Sequence, residues 1–105
     1  MRIHIVGSLE GYGIQAAKIA MEHGAHVVSC THIEECLKIL RSGQSCDLVL
    51  IDVCLDIKTL VDSLKTERFH VEIVACGIKP DPKKAASAIR AGAKEYIPLP
   101  PDPEM

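Results

Sequence analysis

Short apolar runs that alternate with helical periods constrain this chain more than any other feature. Ile3 to Val6, Ala25 to Cys30, Leu48 to Val53, Val71 to Cys76 and Glu95 to Leu99 read as strands, and a stretch with helical spacing separates each from the next. Parallel neighbours need long crossovers, so this alternation implies a parallel sheet with helices on both faces. Right-handed crossovers leave few topologies, and the strand order 2-1-3-4-5 is the commonest small solution. At 105 residues, positions 1–105 read as a single domain.

The helical stretches carry their own punctuation. Gly11 to His23 reads as a helix with Ile14, Ala17 and Met21 on one face and Gly24 as its stop. Thr31-x-x-Glu34 has the form of a capping box. It opens a helix whose Ile33, Cys36, Leu37 and Leu40 form one buried stripe, ending at Gly43. Asp56 is placed to cap a third helix with the stripe Ile57, Leu60, Val61 and Leu64. Asp81-Pro82 is an N-cap followed by proline at the first helical position, and that helix runs to Ala91 before Gly92 stops it. Asp102-Pro103-Glu104 repeats the same logic and reads as the start of a further helix; the alternative is a stiff proline-rich tail. On the first reading the chain is an N-terminal fragment of a longer protein. Tyr12, Ile19 and Ala20 would then be partly bare, a patch that invites association.

Composition excludes several function classes. Lys and Arg number 12 against 14 Asp and Glu, so the basic field of a nucleic-acid binder is missing. Aromatics are 3% with no Trp, which argues against base-stacking platforms. No apolar run is long enough to span a bilayer, and no signal sequence opens the chain. The five cysteines are odd in number and lack C-x-x-C spacing, so neither a disulfide framework nor a zinc knuckle is indicated. They read as buried thiols of a cytoplasmic protein.

Open parallel sheets gather their chemistry beyond the strands' carboxyl ends. Those ends are Gly7-Ser8, Cys30-Thr31, Asp52, Cys76-Gly77 and Leu99-Pro100. Asp52 stands out as a lone carboxylate after four apolar residues; its plainer role is to bond the loop amides that follow it.

Asp47-Leu-Val-Leu-Ile-Asp52-Val-Cys-Leu-Asp56 resembles the third strand of response-regulator receiver domains, and Gly92-Ala93-Lys94-Glu95-Tyr96-Ile97-Pro98-Leu99-Pro100 resembles their fifth-strand segment. Ala88-Ile89-Arg90-Ala91-Gly92-Ala93 is similar to the end of their fourth helix. The resemblance implies a flavodoxin-like (CheY-like) receiver fold cut before its last helix, with Asp52 at the phospho-acceptor position. Tyr96 then matches the switch aromatic, and Pro100 the proline often found in cis. The rest of the usual pocket departs from the pattern. Gly7 and Ser8 replace an acidic pair, Cys76 replaces a Thr or Ser, Leu99 replaces a lysine, and Asp56 stands where a proline is usual. Magnesium wants hard oxygen ligands, and Asp52 and Glu10 are the remaining candidates to hold it. Phosphoryl transfer relies on positive charge that Leu99 does not offer. The expectation is a receiver that does not switch by conventional aspartyl phosphorylation.

Met1-Arg2-Ile3-His4-Ile5-Val6-Gly7, Val74-Ala75-Cys76-Gly77 and the segment from Ala93 to Pro101 are similar to the N-terminal domain of FlbD-like flagellar regulators, which are sigma-54-dependent activators. That resemblance implies a downstream ATPase domain, a DNA-binding domain beyond it, and control by a small partner protein through protein contact. A homodimer is expected as well, with no cofactor and no enzymatic activity of the domain's own. Lys83, Lys84 and Arg90 make the fourth helix the most basic element, a docking face or a solvated surface, and Ala85, Ala86 and Ala88 keep it slim enough for another helix to approach.

Three other readings stand beside this one. A conventional two-component response regulator would be phosphorylated on Asp52 by a histidine kinase. Gly11-x-Gly13-x-x-Ala16 formally fits a dinucleotide fingerprint, but no acid closes the second strand to hold a ribose. A cysteine enzyme would use Cys54 or Cys76, yet only His32 lies near that sheet edge, and no Cys–His pairing is expected.

Overall fold

The computed structural model describes residues 1–77 and 81–99. The elements are β1 (Arg2–Val6), a 3-10 turn (Leu9–Gly11), α1 (Tyr12–Glu22), β2 (His26–Cys30), α2 (Ile33–Arg41), β3 (Leu48–Asp52), α3 (Ile57–Thr66), β4 (Glu72–Gly77), α4 (Pro82–Ala91) and β5 (Glu95–Pro98). All strand pairs are parallel, in the order β2-β1-β3-β4-β5. Val6 pairs with Cys30 and Ile51, and Asp52 with Cys76, so the carboxyl ends lie level. Pro100 and the segment Asp102-Pro103-Glu104 lie outside the described residues.

Strand alternation divides the core in two. Val6, Val49, Ile51, Ile73 and Ala75 face the buried stripes of α2 and α3 and Ala88 of α4. Ile3, Ile5, Cys76 and Leu99 face α1, where Ala17 is the buried residue. Leu48 and Leu50 are only half-buried on that second face. They floor an apolar groove of ≈ 530 Å³ bordered by Ile19, Ala20, Ile97 and Leu99. Tyr12, Ile19 and Ala20 are themselves half-buried.

The stops and two of the caps are where local chemistry puts them. Asp56 accepts from the Thr59 amide at 3.1 Å, and Asp81 accepts from the amides of Lys83 and Lys84 at 3.0 and 3.1 Å. Gly24, Gly43 and Gly92 follow their helices with positive φ.

Two details differ from the sequence reading. The capping box is shifted: His32 is the N-cap, its Nδ1 accepting from the Glu35 amide, and the Thr31 amide and hydroxyl donate to the Glu35 carboxylate at 3.0 and 2.8 Å. Those two bonds hold the Glu35 pKa below its usual value, so the acid that closes the box is Glu35 rather than Glu34. In α1 the stripe is rotated. Ile14 is 77% exposed and Met21 53%, while Ala16, Ala17 and Ala20 face the sheet. Gly13 explains the rotation: a Cβ there would lie 3.3 Å from the Ser8 carbonyl oxygen, so the helix seats its smallest residues against the chain. In α4, Ala88 is buried and Ala85 and Ala86 are half-buried.

His4, 1% exposed, is the one polar side chain buried among the described residues. Burial lowers its pKa from the ordinary value of 6.5. The unfolded chain therefore takes up a proton before the folded one does. Stability is at its full value above about pH 6.5 and falls as pH drops through the interval down to the folded pKa. Urea unfolding at pH 7.5 and 5.5 checks this: the wild type loses stability between the two, and His4→Leu flattens that slope. An unchanged slope in the variant would assign the acid sensitivity elsewhere.

Candidate functional site

Asp52 ends β3 half-buried, and its Oδ1 accepts from the Cys54 amide at 2.9 Å. This is an Asx turn, so one carboxylate oxygen is already committed to the backbone. Asp52 stands between two hollows. One, of ≈ 270 Å³, is bordered by Leu9, Cys76, Asp81, Lys84, Tyr96 and Leu99. The other, of ≈ 490 Å³, is bordered by Gly7, Ser8, Gly11, Thr31 and Leu55. The parallel register thus brings Asp52 together with Gly7, Ser8, Cys76, Leu99 and Tyr96. Glu10 falls in the 3-10 turn, and its side chain lies outside what the structure describes.

Gly7 does more than lack a carboxylate. Its φ is +99°, its amide donates to the Cys30 carbonyl at 2.9 Å, and a Cβ built on it would lie 2.7 Å from the Asp52 Cβ. The backbone runs too close to Asp52 for any side chain at this position. Two residues on, Leu9 takes φ 52°, rare for leucine, and is 1% exposed. Burial of its side chain with Leu99 and Cys76 offsets that strain. Leu9 and Leu99 give the first hollow an apolar wall.

A magnesium ion requires several oxygen ligands in near-octahedral geometry. Here one Asp52 oxygen is taken by an amide, Gly7 excludes a neighbouring carboxylate, and two leucines line the adjacent space. Among the described residues the ion is left with few oxygen ligands here, Asp81 being the other carboxylate that borders the first hollow. Lys84 brings a cation to the same hollow, a contribution from α4 that strand-end inspection missed.

Tyr96 packs against Gly77, where an added Cβ would lie 2.8 Å from the ring Cζ. Burial, then the Asp81 charge, raises its pKa. Cys76 is 2% exposed, and burial, reinforced by the Asp52 charge, pushes its thiol up to about 12. That is the wrong direction for a nucleophile. Cys30, Cys36 and Cys46 are buried as well, and Cys54 is exposed. Brief alkylation of the native chain at neutral pH therefore yields one adduct, on Cys54, with the remaining thiols reacting after unfolding. Rapid labelling of Cys76 in intact-mass and peptide maps would revive a cysteine enzyme.

Gly11 and Gly13 lie where a fingerprint loop would, but the hollow they border presents hydroxyls and backbone rather than an acid at the end of β2. The expectation that no cysteine and histidine pair is corrected: Cys36 Sγ lies 3.6 Å from His4 Nδ1, inside the core rather than at the sheet edge.

No protein-family model matches the chain. The chain is 48% identical over 105 residues to the transcriptional regulatory protein FlbD of Caulobacter vibrioides, covering 100% of this chain and 23% of FlbD. It therefore spans less than a quarter of that relative's length. Among solved structures it superposes on a two-component response regulator from Clostridium difficile with a TM-score of 0.81, at 18% identity over 99% of this chain and 87% of the other. The beryllofluoride-activated NtrC4 receiver domain dimer gives 0.81 at 21% identity, covering 98% and 87%. NtrX from Brucella abortus, solved in complex with ADP, gives 0.83 at 23% identity, covering 98% of this chain and 23% of NtrX. At such identities the structural likeness is one of fold, and the five-stranded CheY-like architecture is the one expected from the strand pattern.

Proposed function

Because the chain is an atypical response-regulator receiver domain that resembles the N-terminal domain of FlbD-like sigma-54-dependent regulators, we propose that it works as a regulatory module read through protein contacts, with little or no phosphorylation of Asp52. In this reading it acts in the cytoplasm, pairs with a second copy, and controls an ATPase domain further along the parent regulator. The DNA contacts belong to that parent, and a small partner protein supplies the input. The domain is not itself an enzyme. Among the described residues no helix is long and apolar enough to cross a membrane.

The backbone at Gly7 carries this proposal. It leaves no room at position 7 for one of the two carboxylates that a metal-dependent phosphoryl transfer would use, and Ser8 supplies none at the next position. Leu99 then removes the cation such a transfer needs on the other side. The exposed part of α4, with Lys83, Lys84, Ile89 and Arg90, supports docking as the route of communication.

Lys84 favours the second reading, a conventional switch, because it borders the same hollow as Asp52. One measurement decides between them. The chain is incubated with a small phosphodonor and magnesium, and its intact mass is followed. No phosphoryl adduct is expected. An adduct that disappears in both Asp52→Asn and Lys84→Ala would establish the conventional switch instead.

A further inference from the structure

His4, Cys30 and Cys36 come from three different elements, β1, the end of β2 and α2. In the fold their ligand atoms all lie within 4.8 Å of one another. No other group of three or more His, Cys, Asp or Glu side chains among the described residues is so placed to hold an ion. The three are 1%, 3% and 0% exposed, so the cluster is sealed under α2. Cys46, 8% exposed, belongs to the same buried cluster as Cys30 and Cys36, and its Sγ donates to the Leu48 carbonyl at 3.2 Å.

The spacing has a chemical meaning. Zinc–sulfur and zinc–imidazole bonds of about 2.3 and 2.0 Å, set at tetrahedral angles, place ligand atoms about 3.5–3.8 Å apart. The His4 Nδ1 to Cys36 Sγ separation is 3.6 Å. We propose that His4, Cys30 and Cys36 form a buried structural site for a thiophilic divalent ion of the zinc class. Soft thiolates with one imidazole select zinc over magnesium or calcium. Charge favours a divalent ion too, since two thiolates and a neutral imidazole cancel it, as a buried site requires.

Proton balance follows. Without a metal the two thiols keep their protons at neutral pH, as cysteine ordinarily does. Each thiol that binds exchanges its S–H bond for an S–metal bond and releases its proton to water. Two protons leave, one each for Cys30 and Cys36. The ion would tie edge strand β2 and helix α2 to the neighbouring strand β1. Cys30 also accepts the Gly7 amide, so the clamp would stiffen the loop that crowds Asp52.

The test uses the chain purified without chelator under reducing conditions. Native mass spectrometry is expected to find about one zinc per chain. Cobalt substitution should give the thiolate-to-metal charge-transfer and tetrahedral ligand-field bands. Adding zinc to the stripped protein should release two protons, a readout that needs no variant and so survives any folding failure of Cys36→Ala. Cys54→Ser, outside the cluster, should bind as the wild type does, and Cys30→Ala with Cys36→Ala should lose the metal. Several results would overturn the site: no metal and no proton release in the wild type, binding that vanishes with Cys54→Ser, a Cys30–Cys36 disulfide in place of metal, or retention of copper(I) with no zinc.

Discussion

Gly7→Asp, the substitution that would restore part of a receiver's acidic pair, is expected to destabilise the fold without creating a metal site. Three effects add. The φ of +99° is one that residues with a side chain rarely adopt, at about 1–2 kcal/mol. The new Cβ would lie 2.7 Å from the Asp52 Cβ and 3.2 Å from Leu55 Cδ1, so β1 or β3 must shift, typically another 1–3 kcal/mol. The added carboxylate also faces that of Asp52 at close range, which disfavours charging both. A loss of about 3–4 kcal/mol follows, visible in urea as a lower midpoint at unchanged slope. Ser8→Asp is the control. Ser8 is exposed with an ordinary φ of −78°, and its substitution should stay within about 0.5 kcal/mol. If Gly7→Asp keeps wild-type stability and gains magnesium-dependent phosphorylation, the backbone argument for a silent pocket fails.

The contrast between Gly7 and Ser8 also shows where a sequence stops speaking. The strand ends were legible because parallel register levels them, so Asp52, Cys76 and Leu99 had to meet. Caps and stops were legible because they act within a turn, as Asp56 and Asp81 do. Buried stripes made of leucine and isoleucine were legible in α2 and α3. The inward face of α1 was not, since it is built from Gly13 and alanines while the larger Ile14 and Met21 face solvent. Hydrophobicity ranks those residues in the opposite order from their burial. Leu9 was hidden because its place beside the pocket depends on one loop dihedral, φ 52°. Lys84 was hidden because its reach depends on how α4 sits over β5. The meeting of His4, Cys30 and Cys36 was hidden because metal motifs are recognised by short spacing, and these residues are joined only by tertiary packing.

Leu99→Lys is expected to have the second large effect, and its pH dependence separates two causes. Leu99 is 3% exposed and packs in the cluster with Ile5, Leu9 and Cys76. Truncation to alanine should remove about 2–4 kcal/mol by lost burial and cavity formation, with no dependence on pH beyond the wild type's. The lysine keeps much of the volume but places an ammonium against Leu9. Burial then disfavours the charged form and lowers the folded pKa of the introduced amine below its unfolded value near 10.4. The unfolded state binds the proton more tightly, so the penalty is complete at neutral pH and recedes as pH rises toward about 10. Leu99→Lys should therefore unfold at least as easily as Leu99→Ala at pH 7 and recover relative to it at pH 9.5. The opposing outcome is equally definite. Asp52 borders the same hollow, and an ammonium that reached its carboxylate would have its pKa raised instead of lowered. Stability at pH 7 would then approach the wild type's and fall as pH rises through the raised pKa, and the pocket would have regained the cation that phosphoryl transfer requires. The apolar wall made by Leu9 makes the first outcome the expected one, because an ion pair formed there must give up hydration on the side the leucine covers.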